Sequence, residues 1–237
     1  MDFRARLVAT LKAVAPILAE PGVLVIGSEV PNLLERGAAS TLVVSEDVDL
    51  GISIEAHARV KSKLGDIRGL ARSSDEPSVW VPRIPELIEV NFVGMDRRLR
   101  DPGEVYVFED EELPLLVFGA LSFLRPGRSI DADGVEVPLP RPAGLLLEKL
   151  LTDRSGYKGD RDVLVALGLL IEIADDDLDE VESDYATLSP EIRYAVRSNL
   201  TILSLLEPVG GMPDPRPHRR RILELLRRLE GREEGLP

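Results

Sequence analysis

Asp47 and Asp49, in the stretch Asp47-Val48-Asp49-Leu50-Gly51-Ile52, have the type and spacing for metal-assisted chemistry. An extended backbone alternates its side chains, so both carboxylates point to one face while Val48, Leu50 and Ile52 point to the other. At a strand rise of about 3.3 Å per residue they lie roughly 7 Å apart, a separation that lets them share a pair of divalent ions. Upstream, the apolar run Val23-Leu24-Val25-Ile26 reads as a buried strand and is followed at once by Gly27-Ser28. Such a turn brings backbone and hydroxyl donors close to a phosphate as a helix begins. In Ile88-Glu89-Val90-Asn91-Phe92 the same alternation sets Glu89 and Asn91 opposite three apolar residues. Glu89 is therefore a third candidate acid, and Asn91 a hydrogen-bonding neighbour.

The elements that must position these residues divide the chain near residue 140. Leu7, Leu11, Val14 and Leu18 recur at helical spacing and predict a helix over 1–19, ended near Pro21-Gly22. A strand at 23–26, a short helix at 29–36 that Ser28 can cap, and a strand at 47–54 follow. Residues 55–64 have helical composition. Val79-Trp80-Val81 and residues 87–93 read as strands broken by Pro82 and Pro85. Between 104 and 139 apolar strands alternate with turn signals at Pro126-Gly127 and Asp133-Gly134, the latter suited to a hairpin, and continue the sheet over the site. From Pro142 onward helical patterns cover 145–151, 162–171, 176–188, 190–206 and 219–229. The expectation is an α/β (α+β) fold: a small mixed-sheet core over 1–140 and a helical bundle over 141–237. Pro213-Asp214-Pro215-Arg216-Pro217 reads as a stiff linker before the last helix.

At Gly27-Ser28 and Asp47-x-Asp49 the chain resembles the nucleotidyltransferases of the DNA polymerase β superfamily, whose motif is Gly-Ser or Gly-Gly, a spacer, then Asp-x-Asp between apolar residues. The nearest branch is the AbiEii-like and MenT-like bacterial group, many of them toxins of toxin–antitoxin pairs. The spacer between Ser28 and Asp47 holds 18 residues, longer than is usual there. The resemblance implies that Gly27 and Ser28 hold the nucleotide phosphates and that Asp47 and Asp49 bind Mg²⁺. It implies further that Glu89 completes the metal set or acts as base. A second pattern, Pro142-x6-Lys149 followed by Lys158-Gly159-Asp160-Arg161-Asp162, is similar to the family's phosphate-binding lysine and following aspartate. Lys149 and Asp162 match best, with Lys158 and Asp160 as alternates. The implied activity is Mg²⁺-dependent transfer of a nucleoside monophosphate from an NTP such as ATP to a hydroxyl, with tRNA as acceptor and an antitoxin protein as partner. A small aminoglycoside-like or protein acceptor, and a catalytically silent nucleotide-binding or partner-binding member, are the alternatives.

Composition bounds these readings. With no cysteine and only His57 and His218, the chain has no disulfide, thiolate metal site or cysteine nucleophile and little imidazole chemistry. No apolar run reaches the length of a membrane span and the N-terminus lacks a signal pattern, so a cytoplasmic protein is expected. A net charge of −13 argues against a broad nucleic-acid surface. The charge is uneven: Glu172 to Asp184 holds eight acids and no base, and Arg216 to Arg232 holds seven arginines and two glutamates. The first reads as a solvated helix face and the second as an amphipathic surface helix, with an RNA or phosphate contact as its other reading. Only five lysines stand against 24 arginines, so a lysine at 149 suits a need for a compact ammonium.

Overall fold

Val23–Ile26 forms β1, buried at all four positions, and Asp47–Ser53 forms β2, whose Val48, Leu50 and Ile52 are fully buried while Asp47 and Asp49 are half-buried. That alternation is the sequence pattern made physical, each apolar side chain contributing about 1.5–3 kcal/mol by leaving water. The computed structural model describes residues 3–34, 47–151, 157–208 and 214–234; the side chains of 157–161 and 232–234 lie outside the described set. The chain divides into two units, one holding residues 3–33 and 47–140, the other Leu34 with 141–151, 157–208 and 214–234.

In the first unit α1 (Phe3–Ala13) and α2 (Ala15–Leu18) replace the single helix expected over 1–19, with a break at Val14 just before Pro16. Proline has no N–H to donate and is tolerated only in a first turn, so a new helix starts there. After β1, α3 covers Glu29–Leu34; the expected end of that helix near Arg36 lies outside the described residues. Beyond β2, α4 spans His57–Lys63. The remaining strands are β3 (Leu70–Arg72), β4 (Val79–Pro82), β5 (Glu89–Met95), β6 (Val105–Phe108), β7 (Leu115–Phe118), β8 (Pro126–Asp131) and β9 (Glu136–Pro140).

Among the described residues seven strands form one mixed sheet in the order β1-β2-β5-β4-β3, with β7 also paired to β5 and β6 outside β7. β2, β5 and β7 run parallel, and β1, β3, β4 and β6 join antiparallel. The hairpin β8-β9 is a separate two-stranded sheet, so the continuation expected over 104–139 holds for β6 and β7 only. Its turn carries Asp133 at φ 55° and Gly134 at φ 85°, the paired positive angles of a type I′ turn. Pro126-Gly127, expected as a turn, begins β8 instead, a first-residue position where a missing N–H costs nothing.

α1 pins the start of β5. The Thr10 hydroxyl donates to the Arg6 carbonyl at 2.9 Å and accepts the Ile88 N–H at 2.9 Å, and the Arg6 guanidinium donates to the Leu87 carbonyl at 2.9 Å. His57 is a buried core histidine, its Nε2 2.8 Å from the Leu113 carbonyl oxygen and its ring tilted against Phe108.

The second unit consists, among its described residues, of α5 (Pro142–Leu151), α6 (Tyr157–Glu172), α7 (Asp175–Tyr185), α8 (Pro190–Leu205) and α9 (Arg219–Glu234). α5 is the central element, packed on α6, α7 and α8, and its Leu145, Leu146, Leu147 and Leu150 are buried. The Asn199 amide donates to the Leu150 carbonyl at 2.8 Å, satisfying a helix end that would otherwise leave an acceptor bare. Ser189 caps α8 by accepting the Ile192 N–H, with Pro190 at the first helical position. The acidic α7 and basic α9 meet: Arg228 lies 3.2 Å from both Asp179 and Glu182, and Arg221 lies 3.7 Å from Asp175. No helix among the described residues is long and apolar enough to cross a membrane.

Candidate active site

β2 and β5 run parallel with Asp47 across from Glu89 and Asp49 across from Asn91. Residues directly across a pair share a face, so these four polar side chains form a square on one side of the sheet. The Asn91 amide nitrogen donates to Asp47 Oδ2 at 2.9 Å and to Asp49 Oδ1 at 3.1 Å, bridging the two carboxylates. A neutral donor shared by two anions fixes their orientation without adding charge.

The Gly27-Ser28 turn lies directly against this square. β1 places Ile26 across from Asp49, and the chain then turns through Gly27 at φ 82°. A Cβ built on Gly27 would lie 2.5 Å from Asp49 Oδ2. Glycine is required there twice over, for the left-handed angle and for the close approach to the carboxylate. Ser28 and α3 follow, so residues 27 and 49, 22 positions apart in sequence, touch in space.

Glu29, missed as a site residue by the sequence reading, is 1% exposed beside this turn. Its Oε2 accepts from the Asn32 amide at 3.3 Å and its Oε1 from the Ser28 hydroxyl at 3.5 Å. Burial pushes its carboxyl up, the negative charges of Asp47 and Asp49 push further, and the two hydrogen bonds only partly oppose them, giving a pKa of about 8. Glu89 is also raised, by burial first and then by Asp47 and Glu76. The only sequence signal for Glu29 was its place immediately after Gly27-Ser28, where an acid at a helix start reads as ordinary.

The donor set is oxygen-only and anionic, which suits a hard cation. Among the described residues no three of His, Cys, Asp and Glu converge as a ready-made metal cluster. Mg²⁺ is commonly held by one or two carboxylates together with substrate phosphates, and the pair Asp47 and Asp49 fits that requirement.

Lys149 and Asp162 belong to the helical unit, where they pair with each other. Lys149 Nζ lies 3.2 Å from Asp162 Oδ1 and 3.1 Å from Glu148 Oε2, all three side chains being nearly buried. Burial presses the Lys149 ammonium pKa down, yet the two carboxylates outweigh it and hold the value above that of an ordinary lysine. Lys158 and Asp160 fall on α6 where side chains lie outside the described residues.

No family model matches this chain, and no curated protein matches it. Among solved structures it is similar to an antigenic nucleotidyltransferase-like protein from Paracoccidioides brasiliensis, with 14% identity, 81% of this chain and 92% of that chain covered, and a TM-score of 0.40. It is likewise similar to a Helicobacter pylori protein assigned as a nucleotidyltransferase, with 14% identity, both chains covered in full, and a TM-score of 0.40.

Proposed function

We propose that this protein is a Mg²⁺-dependent nucleotidyltransferase that moves a nucleoside monophosphate from an NTP to a hydroxyl-bearing acceptor. The observation that carries the reading is the contact between the Gly27 turn and Asp49, beside an Asp47 carboxylate held in the same orientation by Asn91. Asp47 and Asp49 would hold the cation. When bound, it would neutralise the phosphates and ease ionisation of the attacking hydroxyl. The Gly27-Ser28 backbone and the Ser28 hydroxyl would face the leaving phosphates. Glu89, across from Asp47 and with a raised pKa, is suited to take the proton of the attacking hydroxyl. No covalent bond to the protein is needed.

For the acceptor, the arginines in and just before the last helix support a small cationic molecule over RNA. Arg216 is bound to Asp214, Arg219 to Glu207, and Arg228 to Asp179, Glu182 and Glu224, so much of that charge is engaged within the unit. Acidic surfaces concentrate amines.

The test is transfer of label from each α-phosphate-labelled NTP, with Mg²⁺, into bacterial RNA, bacterial protein and an aminoglycoside, comparing wild type with Asp47→Ala. Label moved only by the wild type, and into the aminoglycoside, bears out both halves of the proposal. Label in RNA would keep the activity and replace the acceptor. No label with any nucleotide would leave a binding protein. Growth arrest on expression, relieved by Asp47→Ala, would establish the toxin role that the resemblance implies.

A further inference from the structure

Among the described residues β6 lies at an edge of the main sheet, paired only with β7, and reads Val-Tyr-Val-Phe with neither lysine nor proline to guard it. The other two edges of this sheet are protected. β1 is buried at every position and packs against β9, and β3 is only three residues long and ends at the exposed Arg72.

The ladder shows which backbone groups of β6 face outward. Gly119 N–H donates to the Glu104 carbonyl at 2.7 Å, so the closely bonded positions of this antiparallel pair are 104, 106 and 108. By alternation, the N–H and C=O groups of Val105 and Val107 turn away from β7 toward the open edge. Their side chains are 53% and 48% exposed, and Leu116, across from Val107, is 41% exposed. Two adjacent strands thus share an exposed apolar face beside a row of outward backbone donors and acceptors.

The strand is bracketed by acids. Glu104 precedes it and Glu109, Glu111 and Glu112 follow, all exposed and none of them in an ion pair among the described residues. Lys61 is bound to Asp110 in the same loop. A second copy of this chain would bring the same acids against these, a repulsion that disfavours self-pairing at this edge. A strand of alternating apolar and basic residues meets every requirement at once: main-chain pairing, apolar contact and opposite charge.

We propose that β6 is a docking edge for an extended basic segment of another protein, which adds to the sheet as a further strand outside Val105 and Val107. The surface is independent of any chemistry at Asp47 and Asp49.

The experiment uses the full chain and the peptide Lys-Val-Arg-Val-Lys-Val-Arg, with Glu-Val-Asp-Val-Glu-Val-Asp as control. Residue-resolved hydrogen exchange should find the Val105 and Val107 amides open in the free protein and slowed at least about tenfold by the basic peptide. Anisotropy should give saturable binding that weakens with salt. The exposed double variant Glu104→Lys/Glu109→Lys should bind at least about tenfold more weakly while retaining its fold. Val107→Pro should abolish binding by clashing with the added strand, and its circular dichroism reports folding. Prior protection of the two amides, equal binding of the acidic peptide, absence of saturable binding, or self-association through β6 in sedimentation would each overturn the proposal.

Discussion

In the helical unit Arg228 lies against Asp179, Glu182 and Glu224, and Lys149 lies between Glu148 and Asp162. On the sheet, Asp47 and Asp49 are instead bridged by the neutral amide of Asn91, and Glu29 and Glu89 are both pushed up in pKa by burial and by neighbouring acids. The first region spends its charge on holding helices together. The second keeps like charge crowded, at a cost to stability that a bound cation would relieve. Charge density alone would have singled out the wrong place, since the most acidic stretch of the chain is the one matched by arginines.

The largest effect that would break this contrast is at Asp47. Asp47→Asn should abolish nucleotidyl transfer, measured by labelled nucleotide, while Tm stays level or rises because one of two crowded charges is gone; retained activity would remove the carboxylate from the site. In the helical unit the same kind of substitution should act on stability. Lys149→Met leaves Glu148 and Asp162 buried without their ammonium and should cost about 3–5 kcal/mol in urea unfolding. Adding Asp162→Leu should recover part of that loss. Next comes Asn91→Leu, which frees the two aspartates to reorient and should lower Mg²⁺ affinity, read by calorimetry, by about 10–100-fold.

The smallest effect is a pH profile. A carboxyl raised from its ordinary value to about 8 in the folded protein stabilises the fold fully below its unfolded pKa, and that contribution is lost as pH rises through about 8. Wild-type Tm should therefore fall between about pH 5 and pH 8, and level off above that, relative to Glu29→Gln, whose side chain does not titrate. Parallel profiles for the two proteins would show that Glu29 is not the group responsible.

The sequence made much of the sheet legible. β1, β2 and β5 have the period-2 or fully apolar patterns that burial demands, and Asp47, Asp49, Glu89 and Asn91 fell on one face because alternation is local. Glu29 was not legible, because its burial comes from packing by residues distant in sequence. Nor was the Lys149–Asp162 pairing, since two residues 13 positions apart on different helices carry no local sign that their side chains will face each other. Pro126-Gly127 misled because the same dipeptide serves a turn or the first residue of an edge strand. The partition of β8 and β9 into their own sheet is a tertiary choice that hairpin chemistry does not encode.

The Thr10 hydroxyl, bonded at once to its own helix and to the Ile88 amide, ties two events to a single opening. When α1 frays, the backbone leading into β5 loses its anchor, so the Ile88 amide should exchange with solvent at the rate at which the N-terminal helix opens. Loosening that helix would then blur Glu89 and Asn91 long before the chain unfolds, which makes Phe3–Ala13 the timekeeper of the carboxylate face.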